Sequence, residues 1–130
     1  MLTEEKQVIM TGIPFRKKGV YTIIGKLWIE YDGERFFGPG RMDLLRRIGN
    51  TGSINKAAKE MRMSYKKAWA MIGSLNEQMS EPMVITQAGG ESGGGSILTP
   101  SAKVLMQYHE EMQQRFSDFL KQEEKIRSMY

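Results

Sequence analysis

Two serines, Ser53 and Ser64, each stand immediately before a short run with helical spacing. A serine there accepts a backbone N–H that the first helical turn leaves without a partner. After Ser53, Ile54, Ala57, Ala58 and Met61 share one face, and the paired alanines admit a neighbouring helix. After Ser64, Ala68, Ile72, Leu75 and Met79 recur at intervals of four, three and four. That is the stripe of a helix packed on a core. Residues 53–79 are therefore predicted to be two short helices joined by a tight turn. This is the helix-turn-helix layout, in which the second helix enters the DNA major groove and its first turn meets base edges.

The flanking residues complete a frame for this pair. Upstream, Met42, Leu44, Leu45 and Ile48 predict a helix over 41–50, ended by Asn50-Thr51-Gly52 with Gly52 as a left-handed cap. Before it, residues 26–37 read as a hairpin. Leu27, Ile29 and Tyr31 alternate with Lys26, Trp28 and Glu30, and Asp32-Gly33 suits a tight turn with positive φ. Gly38-Pro39-Gly40 is expected to break the strand. Downstream, 83–86 and 96–98 read as two short strands around a glycine-rich tip. A strand pair with such a tip, directly after a recognition-type helix, has the form of a wing. Thr99-Pro100 then supplies an N-cap and a first-turn proline for a last helix running to about residue 128.

Charge singles out the same region. The chain carries a formal charge of only +4, but residues 41–67 hold eight cations against two anions, a local excess of +6. The cations are Arg41, Arg46, Arg47, Lys56, Lys59, Arg62, Lys66 and Lys67; the anions are Asp43 and Glu60. Residues 68–98 carry three anions and no cation, and from residue 99 onward five of each sign cancel. Binding to a phosphate backbone requires such a concentration of positive charge.

Other chemistries find little support. The glycine run ends Gly95-Ser96-Ile97 and leads into a strand, without the lysine-Ser/Thr ending of a phosphate-binding loop. His109 is the lone histidine, beside Glu110 and Glu111, and neighbours on a helix do not converge on one metal. No nucleophile–base arrangement or paired-carboxylate site stands out, so no enzymatic role, cofactor or metal is expected. There is no cysteine, no apolar run of membrane-spanning length and no secretory signal, which suits a cytoplasmic protein. At 40% hydrophobic residues, the chain can bury a modest core.

The segments GSINKAAKEMRMSYKKAWAMIGSLN and GGESGGGSILTPSAKVLMQYHE resemble the N-terminal DNA-binding domain of ModE-type molybdate-responsive regulators. That domain is a winged helix-turn-helix related to the LysR-type one, and the resemblance runs over about residues 26–116. It implies a prokaryotic transcription factor that dimerises through its first and last long helices. Full-length family members carry C-terminal oxyanion-binding modules, and this chain ends soon after its last helix, so no molybdate site is expected in it. The wing carries Gln87 and Glu91 where family members often have basic residues.

The expectation is a mainly α, α+β winged helix-turn-helix, with an N-terminal β-hairpin and a long C-terminal dimerisation helix. Residues 1–25 would form a partly flexible arm, including the basic patch Arg16-Lys17-Lys18-Gly19, and residues 26–130 the domain. Candidate DNA contacts are Ser53, Asn55, Lys56, Ser64, Tyr65, Lys66, Lys67 and Trp69, with Gln87, Gly90 and Ser92 in the wing. Trp69 fits burial as well as backbone contact. Candidate dimer contacts are Leu105, Tyr108, Met112, Phe116 and Phe119, spaced three, four, four and three. A homodimer would present two recognition helices to a pseudo-palindromic duplex site. The alternatives are a protein-interaction module that reads no DNA, or a small-molecule sensor using the dimer interface.

Overall fold

Asp32 and Gly33 both take left-handed φ values, 53° and 84°, and so close the predicted hairpin. The computed structural model describes residues 4, 12, 13, 21–87 and 95–128, with side chains as far as residue 124. In it, strand β1 (Ile29–Tyr31) pairs antiparallel with β2 (Glu34–Phe37). The register slips by one residue after Ile29, leaving Phe36 as the extra residue of a bulge. Leu27 and Ile29 are half-buried, as the alternation predicts, but Tyr31 is exposed. The strand turns only one residue later, so Tyr31 reaches past the edge of the core.

Helix α1 spans Pro39–Thr51. It begins two residues earlier than the apolar spacing indicates, because Pro39 is accepted into the first turn, where its missing N–H loses no hydrogen bond. Met42, Leu44, Leu45 and Ile48 are its buried face. Gly52, at φ 70°, ends it and donates its N–H to the Ile48 carbonyl at 2.7 Å. Helices α2 (Ile54–Glu60) and α3 (Tyr65–Gln78) follow. Both predicted serine caps form: Ser53 Oγ accepts the Lys56 N–H at 3.1 Å, and Ser64 Oγ accepts the Lys67 N–H at 3.0 Å.

The second strand pair joins β3 (Val84–Gln87) to β4 (Gly95–Leu98), with Val84 opposite Leu98 and Gln87 opposite Gly95. The Ser96 N–H reaches the Gly52 carbonyl at 2.9 Å, so the strand pair is stitched to the end of α1. Helix α4 spans Pro100–Ser128. Thr99 caps it, its Oγ1 accepting the Ala102 N–H at 3.2 Å while donating to the Pro82 carbonyl at 2.8 Å.

The chain divides into two compact units, Lys26–Glu110 and Met1–Gly25 with Glu111–Tyr130. The larger holds both strand pairs, α1 to α3 and the first part of α4. Its core is built on Phe37, Leu44, Leu45, Ile48, Leu75 and Met83, all fully buried. Each such side chain contributes roughly 1.5–3 kcal/mol by leaving water. His109 lies in this core; its Nε2 stands 3.0 Å from the Leu27 carbonyl and its ring meets Phe37 edge-on at 5.2 Å. In the smaller unit, residues 21–25 run along the second part of α4. Gln113 Nε2 donates to the Gly25 carbonyl at 2.9 Å, and the Ile23 N–H donates to Glu124 Oε1 at 2.6 Å. This is an α+β winged-helix fold. No described helix is long and apolar enough to cross a membrane.

Candidate nucleic-acid interface

Backbone hydrogen bonds close the turn between α2 and α3. Met63 donates its N–H to the Ala58 carbonyl at 3.0 Å, and Arg62 donates to Lys59 at 3.1 Å. These two bonds make a Schellman motif, which requires a left-handed residue at the Arg62 position. Arg62 supplies it, at φ 56°. Met63 is half-buried against the core and anchors the turn from inside. The sequence thus aims the start of α3 outward while burying Ala68, Ile72 and Leu75.

The eight cations of residues 41–67 separate into two sets. Arg46, Lys56, Lys59, Arg62, Lys66 and Lys67 are exposed. Arg47 bonds Asp43 Oδ1 through Nε and Glu60 Oε1 through Nη1, each at 3.0 Å. The hydrogen bond it donates to Asp43, then that to Glu60, holds its pKa above the ordinary guanidinium value. Arg41 is turned inward. Its Nη2 donates to Ser74 Oγ at 3.0 Å, and its Nη1 to Gln78 Oε1 at 3.0 Å and to the Phe36 carbonyl. Burial lowers its pKa. The expectation that the whole cationic segment serves phosphate is therefore corrected for Arg41, which ties the hairpin and α1 to α3. Arg47 engages both anions of the segment, a group of net charge −1 that the inward Arg41 offsets within the segment, and six cations remain exposed outside it.

The candidate contacts on α2 and α3 fall as follows. Asn55, Lys56, Ser64, Tyr65, Lys66 and Lys67 are exposed, and Ser53 is half-buried. The hydroxyls of Ser53 and Ser64 are occupied by capping. Trp69 stands outside the core at 39% exposed, with its ring 5.9 Å from that of Tyr65. In the wing, Gln87 is exposed at the end of β3. Gly90 and Ser92, with Ala88 and Glu91, lie outside the described residues, as does the basic patch at 16–19.

Along α4 the five candidate dimer residues have different surroundings. Tyr108 and Phe119 are more than half exposed. Leu105 packs against the core of its own chain. Met112 and Phe116 are half-buried, and the Phe116 ring lies so close to Gly25 that a Cβ there would sit 2.7 Å from it. Spacing alone missed the roles of Arg41 and Arg47. Asp43 and Arg47 were legible as a helical i, i+4 pair; nothing local marks the side-chain partners of Arg41, Ser74 and Gln78, which lie more than thirty residues away.

Fold and surface together define the class: a winged helix with a cationic helix-turn-helix face. Sequence comparison gives its kin. Over 78 residues the chain is 42% identical to the molybdenum-pterin-binding protein MopB of Rhodobacter capsulatus, covering 60% of this chain and 28% of that one. It is 38% identical over 84 residues to the transcriptional regulator ModE of Haemophilus influenzae, covering 65% and 33%. Against the DNA-binding transcriptional dual regulator ModE of Escherichia coli K12 it is 35% identical over 104 residues, covering 77% and 39%. No family model matches the chain. These similarities bear out the resemblance and make the chain a relative of the N-terminal domain of ModE-type molybdate-responsive regulators. The chain spans 28–39% of the length of these three relatives.

Proposed function

We propose that this chain binds double-stranded DNA as a homodimer and regulates transcription. The observation that carries this is the set of six exposed cations from Arg46 to Lys67, gathered on α1, α2, the turn and the start of α3. Both anions of that stretch are engaged by Arg47. The phosphate backbone is the polyanion such a surface fits, and the first turn of α3 adds the partial positive charge of a helix N-terminus. The names of the relatives support the same reading: one is a DNA-binding transcriptional regulator. Lys66 and Lys67 contact phosphate or guanine, Tyr65 and Trp69 face the bases or the backbone, and Lys56 and Asn55 meet the flanking strand. Gln87, with Gly90 and Ser92, lies near the minor groove. The exposed part of α4 around Tyr108 and Phe119 joins two copies.

A salt series of duplex binding tests this reading. Each phosphate contact contributes about −0.9 to the slope of log affinity against log salt, so six contacts per protomer give a slope of roughly −5 per protomer, or about −11 for the dimer. Absence of duplex binding at low salt refutes the reading. One observation favours a protein-interaction module instead. Ile85 and Ile97 are cross-strand partners on the outer face of the wing, and both are exposed. Persistent dimerisation without any duplex binding is the result that selects it.

A further inference from the structure

Tyr65 and Trp69 lie one turn apart on the outer side of α3. Their ring centroids are 5.9 Å apart and their planes meet at 85°. Their exposures are 49% and 39%, while the neighbouring Ala68 is fully buried. Two large rings are thus kept out of the core at the end of the helix that carries Lys66 and Lys67. An edge-to-face pair restrains both rings, so little rotamer freedom remains to be lost when either meets a partner. The outer side is small further along, at Ala70 and Gly73. A Cβ on Gly73 would meet nothing within 4 Å, so packing within the chain does not require that glycine. A face with rings at its tip and small residues behind suits a helix pressed tip-first into a groove. The pair is fixed edge-on on a rigid helix, which makes it a poor stacking platform for unpaired bases.

We infer that Tyr65, buttressed by Trp69, reads the 5-methyl group of thymine in the major groove. The inference rests on the DNA-binding function proposed above and names the chemistry by which α3 discriminates. Thymine offers the single apolar mark on the major-groove edges of the four bases. An aromatic ring is the matching surface, and the lysines beside it serve phosphate or guanine. Tyr65 contacts the methyl group; Trp69 is a positioning residue that holds the Tyr65 ring in place.

The test begins with duplexes selected from a random pool by the full chain. In the best of them, each thymine is replaced singly by deoxyuridine, which removes only the methyl group. Loss of one buried methyl contact is expected to weaken binding about four-fold at one or two positions per half-site. Tyr65→Phe, which keeps the ring, retains this discrimination, whereas Tyr65→Ala binds both duplexes equally. Trp69→Ala narrows the discrimination with an unchanged salt slope. Equal binding of thymine and deoxyuridine duplexes by the wild type at every position overturns the inference, as does discrimination that survives in Tyr65→Ala. Failure to bind any duplex overturns the underlying function instead, so the two failures are distinguishable.

Discussion

Arg41 on α1 donates a hydrogen bond from Nη2 to Ser74 Oγ on α3, across 3.0 Å and 33 positions of sequence. The same guanidinium takes the carbonyl of Phe36, the bulge residue of β2. One planar, always-charged group thereby fastens the base of α3 to the hairpin and to α1. Loss of a hydrogen bond to a charged group costs roughly 1.5–3 kcal/mol. Arg41→Met is expected to lower unfolding free energy by about 2 kcal/mol in urea denaturation, and to weaken duplex binding without changing its salt slope. Arg41→Lys restores little, because an ammonium cannot reproduce the planar fork. A slope reduced by about 1 per protomer would instead mean that Arg41 reaches phosphate.

Lys66 and Lys67 are exposed at the start of α3. Their joint replacement by Ala is expected to leave the circular dichroism spectrum and melting temperature intact. Duplex affinity should fall strongly, with the salt slope reduced by about 2 per protomer. Unchanged affinity would show that α3 is not the helix that meets DNA.

Arg62 holds φ 56° in the turn, a conformation that favours glycine. Arg62→Gly removes the left-handed penalty of roughly 1 kcal/mol and one exposed cation together. Thermal denaturation should show a protein at least as stable as the wild type, while binding weakens and the salt slope falls by about 1 per protomer. A clear loss of stability would contradict the strain assigned to this residue.

Ser64 bonds the Lys67 backbone N–H at 3.0 Å, so its first task is to cap α3. Ser64→Ala should cost about 1 kcal/mol of stability. Ser64→Asp keeps the cap, and with it the stability, but sets a carboxylate against phosphate and should reduce affinity sharply at low salt. Equal binding by Ser64→Asp and wild type would place Ser64 away from the duplex.

Tyr108 on α4 is exposed at 54%. Tyr108→Glu should therefore spare the fold and shift the dimer toward monomer in light scattering at matched concentration. It is a cleaner probe than Phe116→Glu, because Phe116 packs against Gly25 of its own chain. A dimer unaffected by Tyr108→Glu would exclude this stretch of α4 from the interface.

Much of this architecture was legible in order along the chain. The two serine caps, the Gly52 stop, the Asp32-Gly33 turn and the Thr99-Pro100 helix start are all local events. Each depends on hydrogen bonds or steric limits within a few residues, so the residue types declare them. The apolar stripes of α1, α2 and α3 were legible for a related reason. Burial follows the helical period, and Leu45, Ala57 and Ile72 all lie on the predicted inner faces.

Contacts between distant segments were not legible. Arg41 and Lys66 are both cations in a basic stretch, yet one is drawn inward by Ser74, Gln78 and a bulged carbonyl while the other faces solvent. Leu105 and Tyr108 belong to one apolar stripe, yet one completes its own chain's core and the other stands exposed. The sequence alone determined where helices start and stop, which faces are apolar and where positive charge concentrates, because short-range sterics and hydrogen bonding set these. Only the tertiary structure decided which cations are available to a partner and which are consumed in holding α3, because that depends on groups brought together from more than thirty residues apart.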